Sequence, residues 1–222
     1  MHQPRPNPPP ADSLWRLEAA RYALLRRLAY AMRHHMVVNL QPIGMITDLL
    51  DRRLNSPEPQ LDQVRQSMER INGLSRAAVQ SCLDVVSWLA PEDEVTIGLR
   101  DGVAECLALV RSNLSFRGFD VREEISGNAS QVRRTALRSV LPAALLTLTD
   151  AAVAPAMLVL AATAGASGAT VTLRLEPGDG SPGFAGDAPY RVLGWDEVQL
   201  LAAAEGAVVE RAGGHQVVLR FT

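Results

Sequence analysis

The chain of 222 residues contains no lysine: all 22 basic side chains are arginine. With its alanine richness, this reads as a genome-composition bias. Net charge is −2 and no run of basic residues occurs, so nucleic acid is not an expected partner. Cysteine is scarce. Cys82 and Cys106 are too few for a disulfide framework and lack metal-ligand spacing, which points to a reducing compartment. Long hydrophobic runs are missing too. The longest, residues 151–166, is broken by Pro155 and is too short to span a bilayer. The N-terminal "MHQPRPNPPPAD" has no apolar core of a signal peptide. These absences predict a soluble, cytoplasmic protein that engages neither membrane nor nucleic acid.

Apolar residues make up 47% of the chain, ample for a core. Charge is divided unevenly. Residues 1–90 carry eleven arginines against eight acids, whereas residues 91–222 carry eleven against sixteen. Residues 1–12 read as a disordered, proline-rich tail. Ser13 offers an N-cap, and helical spacing continues to about Asn55 with Pro42 as the one internal breaker. That is a helix about 60 Å long at 1.5 Å per residue. "NSPEPQ" (55–60) is a turn, and a second helix follows. Its apolar stripe is Leu61, Val64, Met68, Ile71, Ala78, Cys82, Val85 and Leu89, a 3-4 heptad pattern that marks Cys82 as a core thiol. A lone hairpin cannot bury seams this long, so residues 13–90 are expected to dimerise into a four-helix bundle.

At "APEDE" (90–94) the character changes, and a second domain is expected over 91–222. A helix near 101–115 ends at Gly118, "FDVREEIS" (119–126) alternates like a strand, and a helix spans about 131–152. Strands at 156–162 and 170–176, a glycine-proline loop (177–189), a helix near 195–205 and two final strands follow. The order predicts an α+β chain whose mixed sheet has helices on one face.

The helical hairpin with histidine on its first helix, followed by this α/β order, resembles the bacterial two-component histidine kinases. Residues 13–90 are similar to their dimerisation and phosphotransfer domain, and 91–222 to their Bergerat-type ATP-binding sandwich. "HHMVVNLQPI" (34–43) resembles the patterns H-R-x-x-N-N-L-Q-x-I and H-D-x-N-N-x-L-x-x-I, with Asn39, Leu40, Gln41 and Ile43 matching when His34 is the phosphoacceptor. In that register the family's core positions fall on Met36, Leu40, Ile43 and Leu50. With His35 as phosphoacceptor they fall on Val37, Gln41, Gly44 and Asp51, burying polar groups at a few kcal/mol each. The resemblance therefore implies His34 as nucleophile, His35 as alternative phosphoacceptor or orienting neighbour, and Asn39 as a further site residue. A neutral imidazole suits this work because it is nucleophilic near pH 7. The acid common just after the phosphoacceptor is replaced by His35, and the position four after it is Val38, which predicts weak phosphatase activity. Arg26, Arg27 and Arg33 are candidates to meet an acidic receiver surface, or else form an ordinary solvated face.

The nucleotide motifs of such kinases are altered. Asp150-Ala151 stands where Asn-Ala would hold magnesium. The adenine loop is represented by "DGSPG" (179–183), with Asp179 in the place of its aspartate. The phosphate loop is reduced to "VLGWDEVQ", where Asp196 and Glu197 put negative charge at a helix N-terminus. The chain thus resembles the dimeric histidine phosphotransferases, which shuttle phosphoryl groups between receiver domains. The implied partners are a response-regulator receiver domain, an upstream hybrid sensor kinase and a second copy of the chain, with no cofactor. Two other readings stay open. One is an inert docking scaffold for a regulator or kinase. The other is an ATP-dependent histidine kinase using Mg-ATP through Asp150 and Asp179.

Overall fold

Forty-four consecutive residues, Ala11–Leu54, form a single helix α1, with Pro42 inside it. A computed structural model describes residues 11–90, 95–126, 130–165, 168–181, 183–184 and 190–222. Helix α1 therefore begins two residues before the Ser13 cap read from sequence. The first ten residues of the expected tail, residues 91–94 of the expected boundary and much of the 177–189 loop lie outside the described residues. Two compact units are present: Ala29–Pro91 forms one, and Met1–Leu28 together with Glu92–Thr222 forms the other.

In the first unit, the later part of α1 turns at 55–60 into α2, Leu61–Leu89. The apolar stripe of α2 divides into two. Val64, Ile71, Ala78 and Val85, spaced by seven, are half-buried or buried. Leu61, Met68, Cys82 and Leu89, on a second seven-residue repeat interrupted at Ser75, are exposed. A stripe with 3-4 spacing is broad enough for two seams, and one neighbouring helix covers only one of them. Cys82, expected in the core, is thus a surface thiol of the single chain.

In the other unit, β1 (Thr96–Gly98) leads into α3 (Leu99–Phe116) and β2 (Phe119–Ser126). Next come β3 (Gln131–Arg133), α4 (Arg134–Asp150), β4 (Ala156–Gly165) and β5 (Gly168–Pro177). Helix α5 (Trp195–Ala204) and the hairpin β6 (Val208–Ala212) and β7 (Gln216–Phe221) complete it. Residues 131–133, expected to open a helix, instead pair antiparallel with β1 as a separate two-stranded ladder. The main sheet has the order β2-β4-β5-β7-β6. Only β2 and β4 run parallel, which requires the crossover that α4 supplies.

The sheet is amphipathic with period two. Ala169, Val171 and Leu173 on β5, with Val217, Leu219 and Phe221 on β7, turn into the core. The other face carries ion pairs such as Arg122–Glu176 and Arg174–Glu176. Helix α4 is buried along nearly its whole length, from Thr135 to Thr149, as an apolar helix covered on all sides must be. On α1, the spacing of Ala20, Ala23, Leu24 and Leu28 makes one buried stripe, and these residues belong to the same unit as α4.

Helix α3 is closed by Arg117 and Gly118, the glycine at φ +85°. A Cβ there would stand 2.6 Å from the Gly183 nitrogen. Left-handed backbone and crowding act together, so Gly118→Ala should cost about 1–3 kcal/mol, read as a lowered denaturant midpoint with unchanged slope.

Glu105 of α3 meets Arg134 and Arg138 of α4. Burial alone would raise its pKa, but hydrogen bonds from both arginines outweigh it and hold the carboxyl below the usual range. A carboxylate with a depressed folded pKa stabilises above its unfolded value, about 4.3, and loses that contribution as pH falls below it. Glu105→Gln should therefore flatten the acid limb of the stability–pH curve below about pH 4, as followed by equilibrium unfolding at stepped pH.

Candidate functional site

An α-helix presents every third or fourth side chain to one direction, so adjacent histidines cannot share a face. His34 is exposed, whereas His35 is half-buried. The four positions that the His34 register would place toward the bundle divide in the single chain. Met36, Ile43 and Leu50 are half-buried, and Leu40 is 50% exposed. All four positions of the His35 register (Val37, Gln41, Gly44 and Asp51) are exposed. In the single chain His34 thus points outward, with three of the four positions of its register half-buried.

Asn39 does not join His34. Its amide nitrogen donates to Ser81 Oγ of α2 at 2.9 Å and lies 3.3 Å from the His35 carbonyl. Ser81 in turn donates to the Ala77 carbonyl at 3.0 Å. This is a polar rung between the two helices. Arg33 is exposed and lies over the Tyr30 ring at 5.4 Å, one turn before His34. Together, Tyr30, Arg33 and His34 form an exposed aromatic, cationic and imidazole surface on α1.

Beside these residues the hairpin carries an apolar groove of about 380 Å³. Leu40 and Ile43 line it from α1, and Ala78, Val79, Cys82 and Val86 from α2.

In the other unit, Arg27 is not the surface cation that sequence offered. Its side chain is 2% exposed and forks onto Asp150, Nη1 to Oδ2 at 2.7 Å and Nη2 to Oδ1 at 3.0 Å. Arg117 adds Nη1 to Asp150 Oδ1 at 3.0 Å while its Nη2 donates to the Thr149 carbonyl at 2.9 Å. Both carboxylate oxygens of Asp150 are thus taken by guanidinium groups. Arg26 lies over the Tyr190 ring at 5.4 Å. Asp179 is exposed on the loop after β5. Among the described residues no three His, Cys, Asp or Glu side chains gather as a metal-binding group.

The N-terminus of α5, where a phosphate would sit by analogy, is filled from within the chain. Glu197 Oε2 accepts the Gly194 N–H at 2.9 Å, the half of a capping box that glycine can share. Arg191 grips the same carboxylate at 2.7 and 2.8 Å, and its hydrogen bond holds Glu197 below the usual carboxylate range. Asp196 pairs with Arg16 of α1 at 2.5 Å. Sequence reasoning saw these acids and missed the arginines that hold them. Nothing local in the chain joins Arg27 to Asp150, 123 positions later.

No known protein family matches the chain, and no curated protein does. Solved structures do resemble it in layout. A histidine kinase from Burkholderia phymatum STM815 is 16% identical, covering 96% of this chain and 97% of its own, with a TM-score of 0.44. A bacterial phosphotransferase is 16% identical over 90% of this chain and 95% of its own, at 0.39. The histidine kinase ThkA in complex with the response regulator protein TrrA is 16% identical over 94% of this chain and 65% of that one, at 0.43. All three TM-scores lie below 0.5, so these are similarities only.

Asn39→Ala should remove the rung to Ser81 at a cost of about 0.5–1.5 kcal/mol. The expected result is a lower melting temperature with the surface around His34 unchanged, as judged by NMR shifts of the His34 ring.

Proposed function

We propose that this chain is a two-component phosphorelay histidine phosphotransferase, with His34 as the residue that carries the phosphoryl group. The observation that carries this reading is the pairing of Asp150 with Arg27 and Arg117, taken beside an exposed His34. A magnesium-bound nucleotide would need a carboxylate free to face a divalent cation, and here two guanidinium groups already hold both oxygens. The α5 N-terminus, with Glu197 on its first amide, opposes phosphate by charge. Mg-ATP does not fit these residues. An acyl phosphate delivered by another protein asks only for a well-placed nucleophile.

His34 meets that need on a rigid helix, since positioning carries much of phosphoryl-transfer catalysis. Its neutral imidazole nitrogen attacks the phosphorus of a receiver aspartyl phosphate. The N–P bond forms, the P–O bond to the aspartate breaks, and the carboxylate leaves with the electron pair. The ring then sheds its second nitrogen's proton to water. Transfer onward reverses these steps onto another receiver aspartate. The partners are a response-regulator receiver domain and an upstream hybrid sensor kinase, in the cytoplasm. The groove of Leu40, Ile43, Val79 and Cys82, with the exposed seam of Leu61, Met68 and Leu89, supports a homodimer in which a second hairpin completes a four-helix bundle.

A second reading, an inert docking scaffold, draws support from one observation. Asn39 is turned to Ser81, and the residue after His34 is an imidazole rather than an acid, so neither supplies His34 with the carboxylate partner usual for reactive histidines. The third reading, ATP-dependent kinase, requires Asp150 to leave both arginines.

Phosphorylated receiver domain offered to the wild-type chain should label it, and His34→Gln should reduce the label to background while His35→Gln retains it. Loss with His35→Gln alone would move the site by one residue, and binding without label in all three would leave the scaffold. Millimolar Mg-ATP should leave the melting temperature unchanged. A ligand at a hundred times its dissociation constant would instead add about 2.7 kcal/mol.

A further inference from the structure

Three carboxylates, two of them at the altered nucleotide positions, share an unexpected set of partners. Asp196 at the start of α5 pairs with Arg16, Glu205 at its end with Arg21 at 3.5 Å, and Asp150 at the end of α4 with Arg27. All three arginines come from the first half of α1. Between them runs the buried stripe Ala20, Ala23, Leu24 and Leu28. Arg191 adds a hydrogen bond to the Ala19 carbonyl at 3.2 Å, and Tyr22 meets Tyr190 edge to face with centroids 6.0 Å apart.

We infer that residues 11–28 are a helical strap of the α/β unit, latched by Arg27 on Asp150, and that the acid the kinase resemblance would give to magnesium is the receptor of this latch. The proposal is independent of whether His34 carries phosphate. It rests on the disagreement between these residues and a nucleotide site.

The three pairs differ in weight. Arg16 and Asp196 are each 64% exposed, so water and salt screen them. Arg21 is 41% exposed, although its partner Glu205 is nearly buried and also accepts from Thr135 Oγ1 at 3.1 Å. Only Arg27 is sealed, and it alone uses a two-pronged fork. The latch therefore has one dominant contact. Without Arg27, the stripe of two alanines and two leucines must hold the strap with two weak pairs and the exposed contacts of Arg191 with Ala19 and of Tyr190 with Tyr22 and Arg26. Local opening of such a segment follows its few buried contacts.

The test is amide hydrogen exchange on the full chain, read by mass spectrometry. Arg27→Gln should speed exchange over residues 11–28 at least tenfold while α4 and residues 29–54 keep their protection. Arg16→Ala should change it less than twofold. The double variant Arg27→Gln/Asp150→Asn leaves no orphaned carboxylate and must show the same selective loss. A strap that stays protected in the double variant overturns the proposal. So does a loss spread evenly through α4, because that would mean general unfolding rather than a strap.

Discussion

Arg27 and Asp150 are both largely withdrawn from water, and the placement of α1 on the α/β unit depends on them. Taking a guanidinium and a carboxylate out of solvent costs several kcal/mol for each ion, and their attraction repays little beyond that cost. What such a pair supplies is position. The stripe Ala20, Ala23, Leu24 and Leu28 is smooth, and helices packed through alanine and leucine alone tolerate sliding. A two-pronged fork tolerates much less. The cluster also closes α4. Two cations, Arg27 and Arg117, stand at the negative end of that helix, and Arg117 donates to the Thr149 carbonyl beside the Ala152 N–H. One set of contacts thus holds the first half of α1 on α4, caps the end of α4 and occupies Asp150.

Much of this was legible in the sequence, for reasons that lie in periodicity. Helices α1 and α2 follow from apolar spacing and from the proline turn at 55–60. The sheet strands follow from alternation, and Gly118 from its place after an amphipathic run. That His34 and His35 face different directions is a matter of helical phase, which a one-dimensional pattern contains. Cys82 failed for an instructive reason. A 3-4 stripe gives the apolar positions but not how many neighbours will cover them, and in the single chain only one of two seams is covered. Residues 131–133 failed because a three-residue strand is stabilised by its partner β1, which lies far away in sequence. The receptors of Arg16, Arg21 and Arg27 failed for the same reason at greater range, since charge pairing across more than a hundred residues leaves no local trace.

Asn39 makes a contact between the two helices. Asparagine mid-helix is mildly unfavourable because its side chain competes for backbone groups. Here that competition is settled by a partner, because the amide reaches Ser81 across the seam. A buried or half-buried rung of this kind costs packing and returns register, as polar groups in helical interfaces do. Ser67, buried on α2, repeats the device: it receives a hydrogen bond from Arg53 at 3.0 Å. The two rungs lie fourteen residues apart on α2 and fourteen apart on α1, two heptads on each helix. Two rungs at matching spacing make a one-turn slip of the hairpin expensive, because either slip would break both.

The same economy bears on the division of labour under the proposed reading. A kinase must hold a nucleotide, align its terminal phosphate and then release the product, so its α/β unit has to stay open and polar at one edge. A phosphotransferase receives its phosphoryl group from another protein's carboxylate and needs none of that. Its carboxylates are then available for internal pairing. Asp150, Asp196 and Glu197 are all used that way, each with an arginine, and Glu197 also satisfies the helix amide that a phosphate would otherwise claim. Arginine suits the exchange better than lysine would, since its planar fork matches a carboxylate with two parallel bonds and loses less freedom for each bond formed. The arginine-only composition, whatever its origin, supplied the residue type that such pairing demands.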